Sequence, residues 1–317
     1  MTVSELVPAD RPTFYFIGVT TEKSSIMKVF PKWAEYLGLG DTPIKGIDCK
    51  HHDDAAVYRE VVRFIKNDPG SVGALVTTHK IDLLNAAKSM FDYLDPYAEL
   101  LGEISSISKR GSALRGHAKD PITSGLSMEA FVPENHWRDT GAELCLLGAG
   151  GSSLALSTYI MKQKRREAWP ARIVVTNRSE PRLAEMKRIH ASINPGIKVD
   201  YVLATSPEVN DSVVGGLKPR SLVVNATGLG KDAPGSPLTD AVSFPEGGLA
   251  WEFNYRGELV FLNQARAAAK SRGLYVEDGW VYFIHGWTRV IAEVFGVEIP
   301  TSGPGFDKLS EIAASTR

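Results

Sequence analysis

The chain has 317 residues, 43% of them hydrophobic and 23% charged, enough apolar material for sizeable cores and too little charge for disorder. A net charge of −1 removes the electrostatic attraction that nucleic acid or an anionic membrane surface needs, so a small molecule is the expected partner. No run reaches the ~18 apolar residues of a membrane span. The N-terminal stretch MTVSELVPADRP has no basic region followed by an apolar one. The two cysteines, Cys49 and Cys145, lie far apart in apolar runs that suit buried thiols rather than a disulfide or a metal site. A cytoplasmic protein without a metal is expected.

From Thr13 the signals alternate: strand TFYFIGV, a helical stretch from Ser24 to Leu37, strand PIKGIDC, a helix from Asp53 to Lys66, then strand VGALVTT and a further helix. This order predicts βαβ units on a largely parallel sheet. EISSISKRGSALRGHAKD reads as a hairpin turning at Arg110 and Gly111 and delivering the chain to Asp120. A helix from about Ile122 to Val132 then meets PENHWRDTG, polar and turn-rich, the expected linker. Beyond it a second α/β series begins, and the last helical stretches, from about Tyr282 to Phe295 and from Asp307 onward, are expected to return to the first domain. The basic cluster KQKRREAW reads as a solvated helix end.

LCLLGAGGSS follows a buried-type strand and opens a helix, the context a dinucleotide fingerprint requires. Gly148 and Gly150 permit a tight turn and close approach of a pyrophosphate, while the free amides of Gly151, Ser152 and Ser153 point at the anion. The next strand ends in VVTNRSEPR. An acidic residue there would favour NAD, whereas Asn177, Arg178, Ser179 and, one turn on, Arg182 suit the extra phosphate of NADP.

These residues together resemble one family, the shikimate/quinate dehydrogenases, from Phe14 to Gly296. GAGGSS, NRSEPR and VNATGLG carry the likeness in the cofactor half; VTTHK and GHAKD carry it in the substrate half. The resemblance implies an α/β protein of two domains with a cleft between them. Residues 1–132 would form the substrate-binding and catalytic domain, completed by helices at about 288–317, and residues 133–287 a Rossmann-type, doubly wound NADP-binding domain. It also implies a place in aromatic amino acid biosynthesis, Thr227 and Gly279 as cofactor contacts, and Lys80 with Asp120 as the catalytic pair. Taken from the residues alone, a solvated lysine at a helix start is the favoured reading of Lys80, and the family match reverses it. The chemistry suits the pair: hydride addition builds charge on a carbonyl oxygen, which an ammonium stabilises and protonates while a carboxylate orients it.

The substrate half departs from the family pattern. Of the family's two serine anchors only Ser24 remains, as a substrate contact or a plain helix cap, with Ile26 in the second place. An Asn-Val-Thr becomes Ala74, Leu75 and Val76; an asparagine becomes Ser105; the pair before the catalytic aspartate becomes Ala118 and Lys119. The usual tyrosine falls at Asn254 or Tyr255, and the usual glutamine at Gly286 beside His285, which reads as a core histidine or a substrate contact. His79, His117, Lys119 and Arg256 add cationic or titratable capacity, Trp280 is a candidate for the nicotinamide pocket, and His51 and His52 read as surface residues.

The expected function is an NADP(H)-dependent interconversion of a ring hydroxyl and ketone on shikimate, quinate, aminoshikimate or another cyclitol, by a monomer or homodimer. The competing readings are a methylene-tetrahydrofolate dehydrogenase-like enzyme, against which GHAKD argues, and a nucleotide-binding regulator without turnover, against which both Lys80 and Asp120 argue.

Overall fold

Alternating apolar strands and one-sided helices build two six-stranded sheets, each in its own compact unit. The computed structural model describes residues 1–231 and 233–316. One unit comprises Met1–Lys119 with Ile284–Arg317, the other Asp120–Phe283. Among the described residues no helix is long and apolar enough to cross a membrane.

The first unit runs β1 (Thr13–Gly18), α1 (Ile26–Tyr36), β2 (Ile44–Asp48), α2 (Ala55–Asn67), β3 (Ser71–Val76), α3 (Lys80–Ala87), β4 (Tyr93–Leu94), α4 (Pro96–Leu101), β5 (Ser106–Arg110) and β6 (Ala113–His117). The sheet order is β2-β1-β3-β5-β6-β4, parallel from β2 to β3 and antiparallel through the β5–β6 hairpin. All six residues of β1 are buried, as a central strand covered on both faces requires.

The second unit runs α5 (Asp120–Glu129), α6 (His136–Thr140), β7 (Leu144–Leu147), α7 (Gly151–Met161), β8 (Ile173–Asn177), α8 (Glu180–Ile193), β9 (Val199–Leu203), α9 (Pro207–Gly215), β10 (Leu222–Asn225), β11 (Leu249–Glu252), α10 (Val260–Arg272) and β12 (Tyr275–Glu277). Its sheet is parallel throughout, ordered β12-β11-β10-β7-β8-β9, so the strand order reverses between β7 and β10. That is the doubly wound arrangement, and ligands of such sheets bind at the carboxyl ends of the strands beside the reversal. Two helices close the chain, α11 (Trp280–Phe295) and α12 (Gly303–Ala314). In the first unit Phe295 joins Phe14 and Phe30 in a ring cluster, and Trp33 Nε1 donates to the Leu309 carbonyl at 2.9 Å.

The α/β class and the order of elements are as the sequence predicts; several boundaries are not. The hairpin turns at Gly111 and Ser112, because Arg110 still pairs with Ala113 and Gly111 takes the left-handed conformation, φ 61°. The helix expected from Ser24 starts at Ile26, after a 3-10 turn at Thr21–Lys23; Ser25 is its N-cap and makes no side-chain cap bond. The helix expected over 122–132 is Asp120–Glu129. PENHWRDTG is no open linker: α6 forms inside it, Trp137 enters the core of the second unit, and buried His136 meets the Arg220 carbonyl through Nε2 at 3.0 Å. The polar letters of that stretch conceal two aromatic anchors. The division between units falls instead between Lys119 and Asp120.

His190 on α8 joins three elements of the second unit, with Nε2 at 2.8 Å from Ser157 Oγ of α7 and Nδ1 at 2.7 Å from Tyr201 OH of β9. Burial lowers its pKa to about 4. The unfolded chain therefore takes up a proton near pH 6.5 that the folded chain refuses until about 4, so this contribution to stability is complete above 6.5 and lost as pH falls through that window. The loss is on the order of 3 kcal/mol at pH 4. His190→Gln should lower stability at pH 7 by about 1 kcal/mol but flatten its decline between pH 6.5 and 4. Urea unfolding across that range measures both, and an unchanged slope would refute the assignment.

Candidate functional site

In the first unit, β3 brings buried Ala74 and Val76 to the strand end, where the chain bends at Thr77–His79 and opens α3 at Lys80. The bend is pinned at several points. Thr77 N and Oγ1 both donate to the Ile17 carbonyl, at 3.0 and 3.2 Å, and Lys80 N donates to the Thr77 carbonyl at 3.1 Å. His79 is buried, with Nδ1 3.0 Å from the Tyr58 hydroxyl of α2. Burial lowers its pKa, against the Gly18 carbonyl, which favours the charged ring. Lys80 is half-buried, on a short and well-anchored turn rather than in a flexible loop.

Ser105 connects this strand end to the end of the hairpin. Its carbonyl accepts from Val76 N at 2.9 Å and its Oγ from Lys119 N at 2.8 Å. The next residue, Asp120, begins α5 in the second unit. Lys119 does not stand as a spare cation: its Nζ donates to Glu293 Oε2 at 2.8 Å, while His117 Nε2 and Arg110 Nη2 approach Glu293 Oε1 at 3.4 and 3.6 Å. Burial alone would raise Glu293, but the hydrogen bond and charge of Lys119, with a smaller pull from Arg110, hold it below the usual carboxylate range. Burial and the neighbouring Lys119 push His117 down to about 4, so it is neutral at pH 7 and its contact with Glu293 is polar rather than ionic. The sequence reading missed Glu293. The visible signal was a lone acid in the apolar run RVIAEVF.

Ser24 is half-buried just before α1, with its carbonyl accepting from Met27 N at 3.1 Å. His285 is 1% exposed and stacked on Phe306, ring centroids 4.3 Å apart, and burial lowers its pKa to about 4. His52 is exposed and pairs with Asp82 at 2.9 Å.

In the second unit, β7 runs straight into the glycine-rich turn. Gly148 adopts φ 105°, and a Cβ there would lie 3.0 Å from the Ala226 carbonyl. Gly150 is the N-cap of α7; lacking a side chain, it leaves the first-turn amides of Gly151, Ser152 and Ser153 uncapped, while Ser153 Oγ returns to the Gly148 carbonyl at 2.6 Å. At the neighbouring end of β8, Asn177 Oδ1 accepts from Arg178 N at 2.9 Å, Ser179 N-caps α8, and exposed Arg178 and Arg182 form no ion pair among the described residues. This set suits a dinucleotide: open backbone close to a glycine turn for the pyrophosphate, and two guanidiniums at the adjoining strand end for a further phosphate.

Beyond the reversal point, Thr227 is exposed at the end of β10 and hydrogen-bonded through N and Oγ1 to Asn225 Oδ1. Asn254 is buried with its side-chain amide on Glu252, so of the two candidates for the family's tyrosine it is Tyr255 that keeps an aromatic ring, packed on Phe283 at 4.5 Å and near Trp280 at 6.1 Å. Gly279 has no room for a side chain: a Cβ would stand 2.1 Å from the Phe253 carbonyl. Glu252 was also missed in sequence, although an acid closing the apolar strand LAWE is an anomaly that burial makes significant.

No protein-family model matches the chain. Curated relatives do. A shikimate dehydrogenase (NADP(+)) of Symbiobacterium thermophilum is 28% identical over 220 residues, 68% of this chain and 68% of the relative. One of Streptococcus pneumoniae is 28% identical over 182 residues, 56% of this chain and 59% of the relative. Among solved structures, shikimate dehydrogenase of Thermus thermophilus in complex with NADP(H) and shikimate has TM-score 0.69 at 21% identity, covering 96% of this chain and 99% of that one. Quinate dehydrogenase of Corynebacterium glutamicum in complex with NAD has TM-score 0.72 at 18% identity, covering 97% and 100%. The resemblance and the α/β fold read from the sequence are borne out.

The Glu293 cluster yields a prediction about stability. Glu293→Ala strands Lys119 and Arg110 without their shared carboxylate and should cost about 2 kcal/mol, whereas replacing Glu293 and Lys119 together by Leu and Met should recover most of that loss. Urea denaturation of the single and double variants measures the coupling, and simple additivity would show the pair to be incidental.

Proposed function

We infer that this chain, a relative of the shikimate and quinate dehydrogenases, is an NADP(H)-dependent oxidoreductase that interconverts a ring hydroxyl and a ketone on shikimate or a related cyclic polyol. The observation that carries the reading is the glycine turn and uncapped α7 amides at the reversal point of a doubly wound parallel sheet, with Arg178 and Arg182 one strand away. A cytoplasmic monomer or homodimer completes it.

NADPH, when bound, supplies a hydride equivalent to the ketone carbon. The residues of this chain supply the rest. Gly148, its own amide bound to the Thr176 carbonyl, shapes the turn, and the amides of Gly150, Gly151 and Ser152 hold the pyrophosphate; Arg178 and Arg182, with Asn177 and Ser179, hold the 2′-phosphate; Thr227 and Gly279 border the nicotinamide end. Lys80 donates a hydrogen bond to the ketone oxygen, stabilises the charge that develops there and gives up its proton as the hydroxyl forms. Asp120 orients the ammonium and favours its charged form. In the reverse direction the same amine accepts the proton. Ser24, Ser105, Tyr255, Asn254 and His285 are the proposed surroundings of the substrate. Ala74 and Val76 are wholly buried apolar residues where the family has polar ones, so ring hydroxyls have fewer partners on β3 than in shikimate dehydrogenases. The retained lysine and aspartate favour turnover over a purely regulatory role.

Lys80→Ala should reduce kcat by at least about a thousandfold while leaving NADPH affinity within about twofold, since proton transfer and charge stabilisation are lost and cofactor contacts are not. Turnover is followed at the reduced-nicotinamide absorbance with shikimate, quinate, aminoshikimate and cyclitols; activity surviving the substitution would remove Lys80 from the chemistry. Arg178→Ala should weaken NADPH by about tenfold or more and NADH by little. Equal weakening of both cofactors would contradict the phosphate assignment.

A further inference from the structure

The reaction described above makes no use of the most completely buried acid at the end of the second sheet. Glu252 closes β11 at 0% exposure, in register with Asn225 on β10. Oε2 accepts from Asn225 Nδ2 at 2.7 Å, and Oε1 accepts from the backbone N of Asn254 at 2.8 Å and its Nδ2 at 2.7 Å. Each partner then reaches a loop at the strand ends. Asn225 Oδ1 accepts from Thr227 N at 3.1 Å and from Thr227 Oγ1 at 2.7 Å, and Thr227 Oγ1 accepts from Leu229 N at 3.2 Å. Asn254 Nδ2 also donates to the Leu229 carbonyl at 3.2 Å, and the Asn254 carbonyl accepts from Gly279 N at 3.2 Å. One carboxylate thus ties together the segments following β10, β11 and β12.

The polarity of this network is determined by its far end. Thr227 presents two donors to Asn225 Oδ1, which turns Asn225 Nδ2 toward Glu252. On its other oxygen Glu252 meets two further donors. Only a side chain with acceptors at both terminal atoms satisfies both sides, and among side chains of this length that is glutamate. An uncharged glutamine would set an amide donor against the donor of one neighbour. Burial raises the Glu252 carboxyl to about 7 against the opposing pull of Asn254, Asn225 and Lys231, which is the cost of keeping an acid in a place that needs acceptors.

We propose that Glu252 is a positioning residue for the nicotinamide cofactor: through Asn225 it orients Thr227, and through Asn254 it fixes the backbone at Gly279. The proposal rests on the reading of the chain as an NADP(H)-dependent oxidoreductase and assigns the strand-end geometry of that site to a group that touches neither cofactor nor substrate.

The test exchanges acceptors for donors without changing shape. In the full chain, E252Q should fold with a thermal midpoint near that of the unaltered protein but bind NADPH about tenfold or more weakly by fluorescence titration, because Asn225 can satisfy the introduced amide or Thr227 but not both. Adding N225D should restore affinity to within about threefold: one oxygen of the introduced carboxylate accepts from the introduced amide, and the other keeps both Thr227 donors. A role limited to filling space predicts no rescue by the double exchange. Equal NADPH affinity in E252Q and the unaltered chain, or a double variant no better than E252Q, overturns the proposal. If E252Q does not fold, the double variant alone decides: folding and binding support the proposal, and failure of either overturns it. Absence of NADPH binding to the unaltered chain is a different result, because it removes the cofactor reading itself and this inference with it.

Discussion

Parallel strands cannot be joined by a tight turn, and this constraint organises β1 to β3 in the first unit and the whole sheet of the second. Each of these strands must be followed by a crossover that returns the backbone to the same edge, so their carboxyl ends gather along one side of each sheet. The peptide groups there leave the ladder and must find other partners or remain available to a ligand. Several candidate residues of both units lie on such edges: Lys80 after β3 in one, and Gly148, Arg178, Thr227 and Asn254 after β7, β8, β10 and β11 in the other.

The strand ends are treated differently according to what each presents. After β3, Thr77 is bonded back to Ile17 and His79 to Tyr58, leaving the lysine that opens α3 on a rigid base. After β7, glycines replace side chains and the amides of the following helix are left uncapped, open to water or to an anion. After β10 and β11, polar side chains satisfy one another around a buried carboxylate, and order the segments without covering them. A lysine platform, an anion cradle and an ordered rim are three outcomes of the same backbone problem.

Charge in the first unit follows a similar economy. Lys119, His117 and Arg110 look in sequence like spare cationic capacity around the hairpin, but Glu293 draws all three, and burial keeps His117 neutral. The first unit is therefore less electropositive around the hairpin than its residue types suggest. With Ala74 and Val76 sealed in the core, its departure from the family pattern consists of lost hydrogen-bonding groups rather than of gained charge.

Features whose cause is local were legible in the sequence. Strand and helix periods, the glycine turn after LCLL and the polar turn after VGALV are each written within about ten residues, and so the α/β class and the place of Lys80 between a strand and a helix could be read without coordinates, whereas the doubly wound second sheet was implied by the family resemblance. Boundaries that depend on burial were misplaced: PENHWRDTG is polar by composition, yet Trp137 gives it a place in the core. What only the tertiary structure decided is which polar groups meet. Glu252 lies 27 positions from Asn225, and Glu293 lies 174 from Lys119; neither separation carries a periodic signal, because these pairings are made by strand register and helix packing rather than by the chain's own spacing. An acid in an apolar run is visible to any reader of the sequence, but whether it is an error, a switch or a keystone depends on donors that folding alone brings within 3 Å.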